Sequence, residues 1–369
     1  MHVAVPGASV RTERVAAVLG IALGAMFAVC FVTGLLSHVI QDPPSWFVWP
    51  ARPAGAYRVT QGLHVATGIA AIPILLAKLW IVLPKLFAWP PFESVAHALE
   101  RISLLPLVGG GLFMLSSGVA NIAQWYPWPF AFRSAHFAVA WITIGGLVVH
   151  IGAKWSTTRS ALRRSPSPPV DIADRRAFLG GVFATSALVT VFSVGQTVRP
   201  LAGLTFLAPR RPDVGPQGFP VNRSAAVAGV TRTARDPGYR LVVDGAVRRP
   251  LRLSLDELRA LPQRSAVLPI ACVEGWSTSQ RWTGIPVRDL LRMAGAADGA
   301  EVTVHSLQDR RSYRTSELNH LHAADADTLL ALEVNGEPLH LDHGYPLRLI
   351  GPNRPGVMQT KWVGRLEVR

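Results

Sequence analysis

Ala271-Cys272-Val273-Glu274-Gly275-Trp276-Ser277 carries one of the two cysteines in a chain of 369 residues. It falls in a region, 201–369, written in short β-like runs broken by turns. The stretch 239–247 reads as strand, turn and strand, and 329–334 followed by Asn335-Gly336 reads as the entry to a hairpin. Ser254 stands as a cap before a short helical pattern ending at Leu261, and 286–293 reads as a second helix. Further strands are predicted over 346–350 and 361–368. About 170 residues of this texture can bury a core of their own, and the expected fold class for them is α+β, mostly β. The other cysteine, Cys30, lies in a long apolar run, so there is no disulfide framework and Cys272 acts alone. An isolated thiol is either an inert buried side chain or a soft metal ligand that leaves other coordination positions open.

Upstream of that region five runs are nearly or wholly free of charge: 15–40, 59–83 (with Lys78 alone), 102–131, 134–153 and 177–198. A bilayer core of roughly 30 Å needs about 20 helical residues, so each run is long enough to span. With 49% hydrophobic and 16% charged residues, the composition excludes a disordered chain, a collagen and a coiled coil, and argues against a wholly soluble enzyme. The expectation is a membrane α-helical bundle of five spans. A four-helix membrane domain occupies 1–158, a basic linker with the fifth span 159–200, and the mostly β domain 201–369.

The net charge of +14 arises from 33 Arg and 4 Lys against 23 acids. Where those cations lie decides what they are for. Arg11, Arg14, Lys85 and Arg101 flank one side of the first three spans, and Lys154, Arg159, Arg163, Arg164, Arg175 and Arg176 fill the linker. The opposite connections hold Arg52, Arg58 and Arg133. This is the positive-inside asymmetry. It predicts a lipid-bilayer protein of the inner (plasma) membrane, with a cytoplasmic N-terminus and an extracytoplasmic C-terminal domain, and it leaves no need for a nucleic-acid partner. The Trp-containing loops 46–49 and 125–128 read as interfacial aromatic belts. Ser165-Pro166-Ser167-Pro168-Pro169 reads as a short stiff linker. The run 15–40 is too long for the h-region of a cleaved signal peptide. Asp174-Arg175-Arg176-Ala177-Phe178-Leu179-Gly180 resembles a twin-arginine export motif, with Asp where Ser or Thr is usual and Gly where Lys is usual; an ordinary basic flank is the other reading.

The Cys272 stretch is followed by Trp282-Thr283-Gly284-Ile285-Pro286 and a helix holding Asp289, Leu290 and Leu291. Then come Leu332-Glu333-Val334-Asn335-Gly336-Glu337-Pro338, His343-Gly344-Tyr345-Pro346-Leu347-Arg348-Leu349, Gly356 and Lys361-Trp362-Val363. In this order the motifs resemble the molybdopterin domain of the sulfite-oxidase family over 222–368. The Cys-x-Glu spacing is similar to that in the catalytic subunit of bacterial methionine sulfoxide reductase systems. The resemblance implies a sulfite-oxidase-type fold, a molybdenum–molybdopterin cofactor and Cys272 as the protein ligand to molybdenum. It further implies pterin contacts from Asn222 (in Val221-Asn222-Arg223-Ser224), Ser306 and His343, and phosphate contacts from Arg348 and Lys361. Lys361 is one of only four lysines, so its position asks for a compact ammonium rather than any cation. Glu274, two residues past the ligand, is either a proton relay at the mouth of the site or a turn cap paired with a nearby Arg. A carboxylate there repels oxyanions and favours a neutral S- or N-oxide. Pro352-Asn353-Arg354-Pro355 replaces a more aromatic stretch of the sulfoxide reductases.

Histidines inside spans are functional candidates. His64 and His136 lie early in spans two and four, toward the outer face. His150 follows His136 by 14 residues, which on a helix means about 21 Å of rise and about 40° of rotation, the separation of two stacked haems. Imidazole is a strong axial ligand, and the spacing resembles the dihaem b-type cytochrome subunits of formate dehydrogenases and hydrogenases. Lys78 stands where a second ligand on span two is expected. An inner haem therefore requires His97 with His150, and His38 is an alternative to His64 as outer ligand. Histidines that merely hydrogen-bond between helices are the other reading.

The sequence thus predicts a membrane-bound molybdenum oxidoreductase. It transfers an oxygen atom on a small S- or N-oxide and exchanges electrons with the quinone pool through haem b. The alternatives are oxidation of a small sulfur compound and a metal-free, membrane-tethered binding module. A transporter is disfavoured, because five spans without paired repeats do not build one.

Overall fold

The computed structural model describes residues 10–90, 94–163, 169–308 and 313–369. Arg164 and most of the proline-rich linker, 165–168, lie outside the described residues. The uncharged runs are helical because a chain surrounded by lipid must satisfy its backbone internally. Their helices are α1 (Glu13–Gln41), α2 (Ala56–Leu86), α3 (Val95–Leu104), α4 (Gly110–Ile122), α5 (Phe132–Arg163) and α6 (Pro169–Val194). Five are long and apolar enough to cross a membrane, with α3 and α4 joined into one span over Glu100–Ile122 and the last span running Ile172–Val194. The Arg175-Arg176 motif lies within α6.

By their contacts the residues fall into two units, Met1–Leu36 with Leu63–Pro209 and Ser37–Gly62 with Arg210–Arg369. The second unit therefore takes in the loop between the first two spans as well as the β-rich region. In the first unit the turn joining α3 to α4, Leu105–Gly109, is π-helical. Pro106 there lacks an N–H and crowds the preceding turn, which is where helices slip register. A Cβ on Gly110 would lie 2.2 Å from Thr143 Oγ1, and one on Gly146 would lie 3.2 Å from the backbone nitrogen of Leu107. Small residues at these points let α4 and α5 approach closely.

In the second unit two four-residue helices, α7 (Ala225–Ala228) and α8 (Thr231–Ala234), precede the sheets. Then follow β1 (Arg240–Gly245), β2 (Leu251–Ser254), α9 (Leu255–Ala260), β3 (Arg264–Ala271), β4 (Ser277–Pro286), α10 (Val287–Ala294), β5 (Val302–Ser306) and β6 (Thr315–Leu318). The remainder is α11 (His320–Ala324), β7 (Leu329–Val334), β8 (Glu337–Pro338), β9 (Arg348–Ile350) and β10 (Val363–Val368). One sheet has the order β2-β1-β10-β5-β6; the other runs β3-β4-β7-β8, with β9 also paired to β7. The β1–β10 pair is parallel, while its neighbours are antiparallel.

Local signals explain these elements. In α10 the buried residues are Val287, Leu290, Leu291 and Ala294, one stripe of a helix. Ser254 and Glu257 form a reciprocal capping box on α9. Asn335 and Gly336, with φ of 56° and 83°, make the tight turn into β8. Leu241, Val243, Leu258, Ile285, Leu290, Val302, Leu349 and Leu366 join in one buried apolar cluster. The domain is mostly β with short helices, in agreement with the sequence.

Candidate functional site

Cys272 sits in the turn that joins β3 to β4. Its backbone N–H donates to the carbonyl of Trp276 at 2.9 Å, and its own carbonyl accepts from the N–H of Gly275 at 3.1 Å. Gly275 holds φ at 88°, a left-handed value that favours glycine. The tight turn leaves Cys272 only 1% exposed. It lines a small pocket with Phe219, Asn222, Trp276, His343, Arg348 and Lys361 among its walls. Burial pushes the Cys272 thiol well above its usual range, and the charge of Glu274 adds to the effect. A metal cation reverses that balance, since a coordinated thiol is deprotonated outright.

Two buried cations complete the pocket. Arg348 Nη1 donates to the carbonyl of His343 at 3.0 Å, its Nε is buried without a hydrogen-bond partner among the described residues, and its guanidinium lies 5.2 Å from the Trp282 ring. Lys361 Nζ donates to the carbonyls of Arg223 and Asp342, both at 2.8 Å. Among the described residues neither cation forms an ion pair. Burial pushes Arg348 down to about 10. Burial, and then the charge of Arg348, push Lys361 well below the usual lysine range. A phosphate placed against the pair would oppose both shifts.

The remaining predicted residues take different places. Asn222 and His343 line the pocket. His343 Nε2 donates to the Pro216 carbonyl at 2.7 Å, and its ring stacks on Phe219 with centroids 3.7 Å apart. Ser306 stands one step back: its hydroxyl donates to the backbone carbonyl of Lys361 at 2.8 Å, so it holds the backbone that carries the lysine. Glu274 Oε2 accepts from Trp276 Nε1 at 3.1 Å and pairs with Arg210 Nε at 3.7 Å. Phe219, Pro220 and Ile270, which also line the pocket, went unread in the sequence. So did Arg210. Phe219 and Pro220 stand three and two residues before Asn222, but a lone aromatic in a coil has no periodicity to mark it.

Buried histidines give this domain an acid sensitivity. Burial, and then the charges of Arg354 and Arg348 respectively, lower His322 and His343 from 6.5 to about 3. Between those values the unfolded chain binds more protons than the folded one, so stability is complete above about pH 6.5 and drains away as pH falls toward 3. The melting temperature of the full chain in detergent is expected to fall steadily from pH 7 to pH 4. His322→Gln should flatten that slope, and an unchanged slope would refute the assignment.

In the first unit the structure brings His64 and His136 together, with ring centroids 6.4 Å apart. His64 Nδ1 is 2.9 Å from the Cys30 carbonyl and 3.2 Å from Thr33 Oγ1. His136 Nδ1 is 3.0 Å from Ser117 Oγ. His97 lies in the first turn of α3, its N–H donating to Ser94 Oγ at 3.1 Å, and His38 in the last turn of α1. His150, on α5, has a buried Nδ1 with no hydrogen-bond partner among the described residues. Lys78 Nζ donates to the Ala16 carbonyl.

Residues 228–369 match the family model described as "Oxidoreductase molybdopterin binding domain". A protein of Azospira oryzae that carries the name protein-methionine-sulfoxide reductase subunit YedZ1 is 35% identical over 130 residues, which are 35% of this chain and 48% of that protein. Mitochondrial sulfite oxidase of Mus musculus is 33% identical over 157 residues, 35% of this chain and 29% of that one. The solved sulfane dehydrogenase SoxCD of Paracoccus pantotrophus is 28% identical, with a TM-score of 0.33, over 36% of this chain and 38% of that one. The chain thus spans about half the length of the first relative and under a third of the second. Cys272, Arg348 and Lys361 thus all lie within the residues that match a molybdopterin-binding oxidoreductase domain.

Proposed function

We propose that the chain is a membrane-bound molybdenum oxidoreductase that transfers an oxygen atom on a small S- or N-oxide outside the membrane, drawing electrons from the quinone pool through haem b. The observation that carries this reading is the buried Cys272 thiol in one pocket with Arg348 and Lys361, two cations bonded to backbone carbonyls. Cys272 Sγ would hold the metal, Arg348 and Lys361 the pterin phosphate, and Asn222 and His343 the pterin. When bound, the pterin-held molybdenum supplies oxygen-atom exchange and haem iron carries single electrons. The protein's part is orientation and exclusion of water: Phe219 fixes the His343 ring by stacking, and the Ser306 hydroxyl fixes the backbone of Lys361.

Support for haem comes from the outer histidine pair. His64 and His136, with ring centroids 6.4 Å apart, would hold the haem iron between them. On both rings Nδ1 is already engaged, which fixes ring orientation and leaves Nε2 to act as ligand. An inner haem would be held by His97 and His150. The positive-inside charge pattern supports a cytoplasmic N-terminus, and the Arg175-Arg176 motif supports twin-arginine export of a folded domain.

Oxidation of a small sulfur oxyanion is a second reading, favoured by one contact. Arg210 stands 3.7 Å from Glu274 Oε2, and the paired charges weaken the repulsion of an anionic substrate by that carboxylate. Metal analysis of the purified full chain, joined to a screen with reduced dye for oxides and oxidised dye for sulfite-like compounds, tests both. Stoichiometric molybdenum with dye oxidation by sulfoxides or N-oxides is expected. Molybdenum-free protein from a host that makes the cofactor would refute both readings.

A further inference from the structure

The loop between the first two spans belongs by its contacts to the second unit, and one buried residue takes up its polar groups. Asn353 is 1% exposed and holds a φ of 53°, a left-handed value that Asn tolerates better than most residues. Its backbone N–H donates to the Ala54 carbonyl at 2.8 Å, and its Nδ2 donates to the Pro50 carbonyl at 2.8 Å. Its carbonyl accepts from Trp49 Nε1 at 2.8 Å, and its Oδ1 accepts from the backbone N–H of Tyr57 at 2.6 Å. Tyr57 lies in the first turn of α2, where N–H groups lack partners within the helix. Asn353 therefore caps α2 from a position 296 residues away. Beside this centre Asn319 Nδ2 donates to the Trp49 carbonyl at 2.9 Å, and Arg52 forks onto Asp325 with two bonds of 2.9 Å.

In the other direction Asn353 runs into Arg354, Pro355 and Gly356. Arg354 Nη2 donates to the carbonyls of Glu317 and Met358 at 2.9 and 3.0 Å. Pro355 forms a parallel bridge with Ala271, the neighbour of Cys272. Gly356 lines the Cys272 pocket, and a Cβ there would lie 3.0 Å from the Ala271 carbonyl oxygen. The clamp and the pocket wall are three residues apart on one continuous, buried segment.

We propose that the loop 49–57 is a positioning element of the Cys272 pocket: through Asn353 it fixes the rim 353–356 against Ala271. Asn353 is then a positioning residue, and the pocket takes its shape from a loop that sequence order places between two spans. The clamp stands on geometry; that its rim faces a bound cofactor rests on the proposed function.

Hydrogen exchange read by mass spectrometry on the full chain in detergent tests it, with Asn353→Asp, Asn353→Gly and Arg52→Ala. Gly keeps the left-handed backbone and deletes both side-chain bonds, whereas Asp keeps the acceptor for Tyr57. In Asn353→Gly, exchange is expected to rise at least about tenfold in both 49–57 and 353–359, with β1 and β10 unchanged. Asn353→Asp should recover part of the protection, a graded rescue that general destabilisation does not produce. Should Asn353→Gly fail to fold, Arg52→Ala, at an exposed side chain, is expected to raise exchange in both segments about threefold. Faster exchange confined to 49–57, or wild-type exchange in Asn353→Gly, overturns the proposal. Exchange is read equally well without metal, so a molybdenum-free preparation would sink the proposed function and leave this result intact.

Discussion

Cys272→Ser is expected to yield a folded chain whose turnover falls by at least about a thousandfold. The substitution changes one atom in a turn held by main-chain bonds, Cys272 N–H to Trp276 O and Gly275 N–H to Cys272 O, so the fold has little reason to respond. What changes is the donor. A thiolate is soft and strongly donating, and a serine hydroxyl is neither. The measurement is kcat with reduced dye and an oxide substrate, set beside the melting temperature and the Soret band of the same preparation. Unchanged melting and Soret absorbance with lost turnover is the expected pattern, and retained turnover would remove Cys272 from the mechanism.

His136→Ala is expected to abolish Soret absorbance from the outer haem while dye-driven turnover persists, because the two chemistries lie in different units. On the proposed reading His136 and His64 would hold the haem iron, and losing either would remove one of its two protein donors. Ser117→Ala, which deletes only the partner of His136 Nδ1, should weaken haem retention by about 10- to 100-fold, the usual effect of removing a residue that orients a ligand. A wild-type spectrum in His136→Ala would show that the pair does something else.

The spans were legible because lipid demands uninterrupted apolarity, but apolarity does not mark where a helix stops. The third uncharged run reaches residue 131, yet α4 ends at Ile122. Pro127 and Pro129 supply no N–H to continue it. The strands β1, β7, β9 and β10 were found, whereas β2 begins at Leu251, beyond the stretch 239–247 read as strand, turn and strand. β3 was not found. Pro269 argues against a strand, and only its position at the edge of the sheet makes it tolerable. The trio of Cys272, Arg348 and Lys361 could be read because motif order carries it. Ser306, read as a pterin contact, donates its hydroxyl to the Lys361 carbonyl. Trp49 was assigned to an aromatic belt, whereas its indole N–H is spent on Asn353. No local pattern announces a bond between residues 304 apart.

The position of β10 carries a consequence for biosynthesis. It is the central strand of its sheet, yet it is the last strand of the domain to leave the ribosome. Until Val363–Val368 has emerged, β1 and β5 face an empty groove and the apolar cluster holding Leu366 cannot close. The domain must therefore mature only after its translation is finished. A frameshift that spared everything up to Trp362 would still yield an unfolded product open to proteolysis.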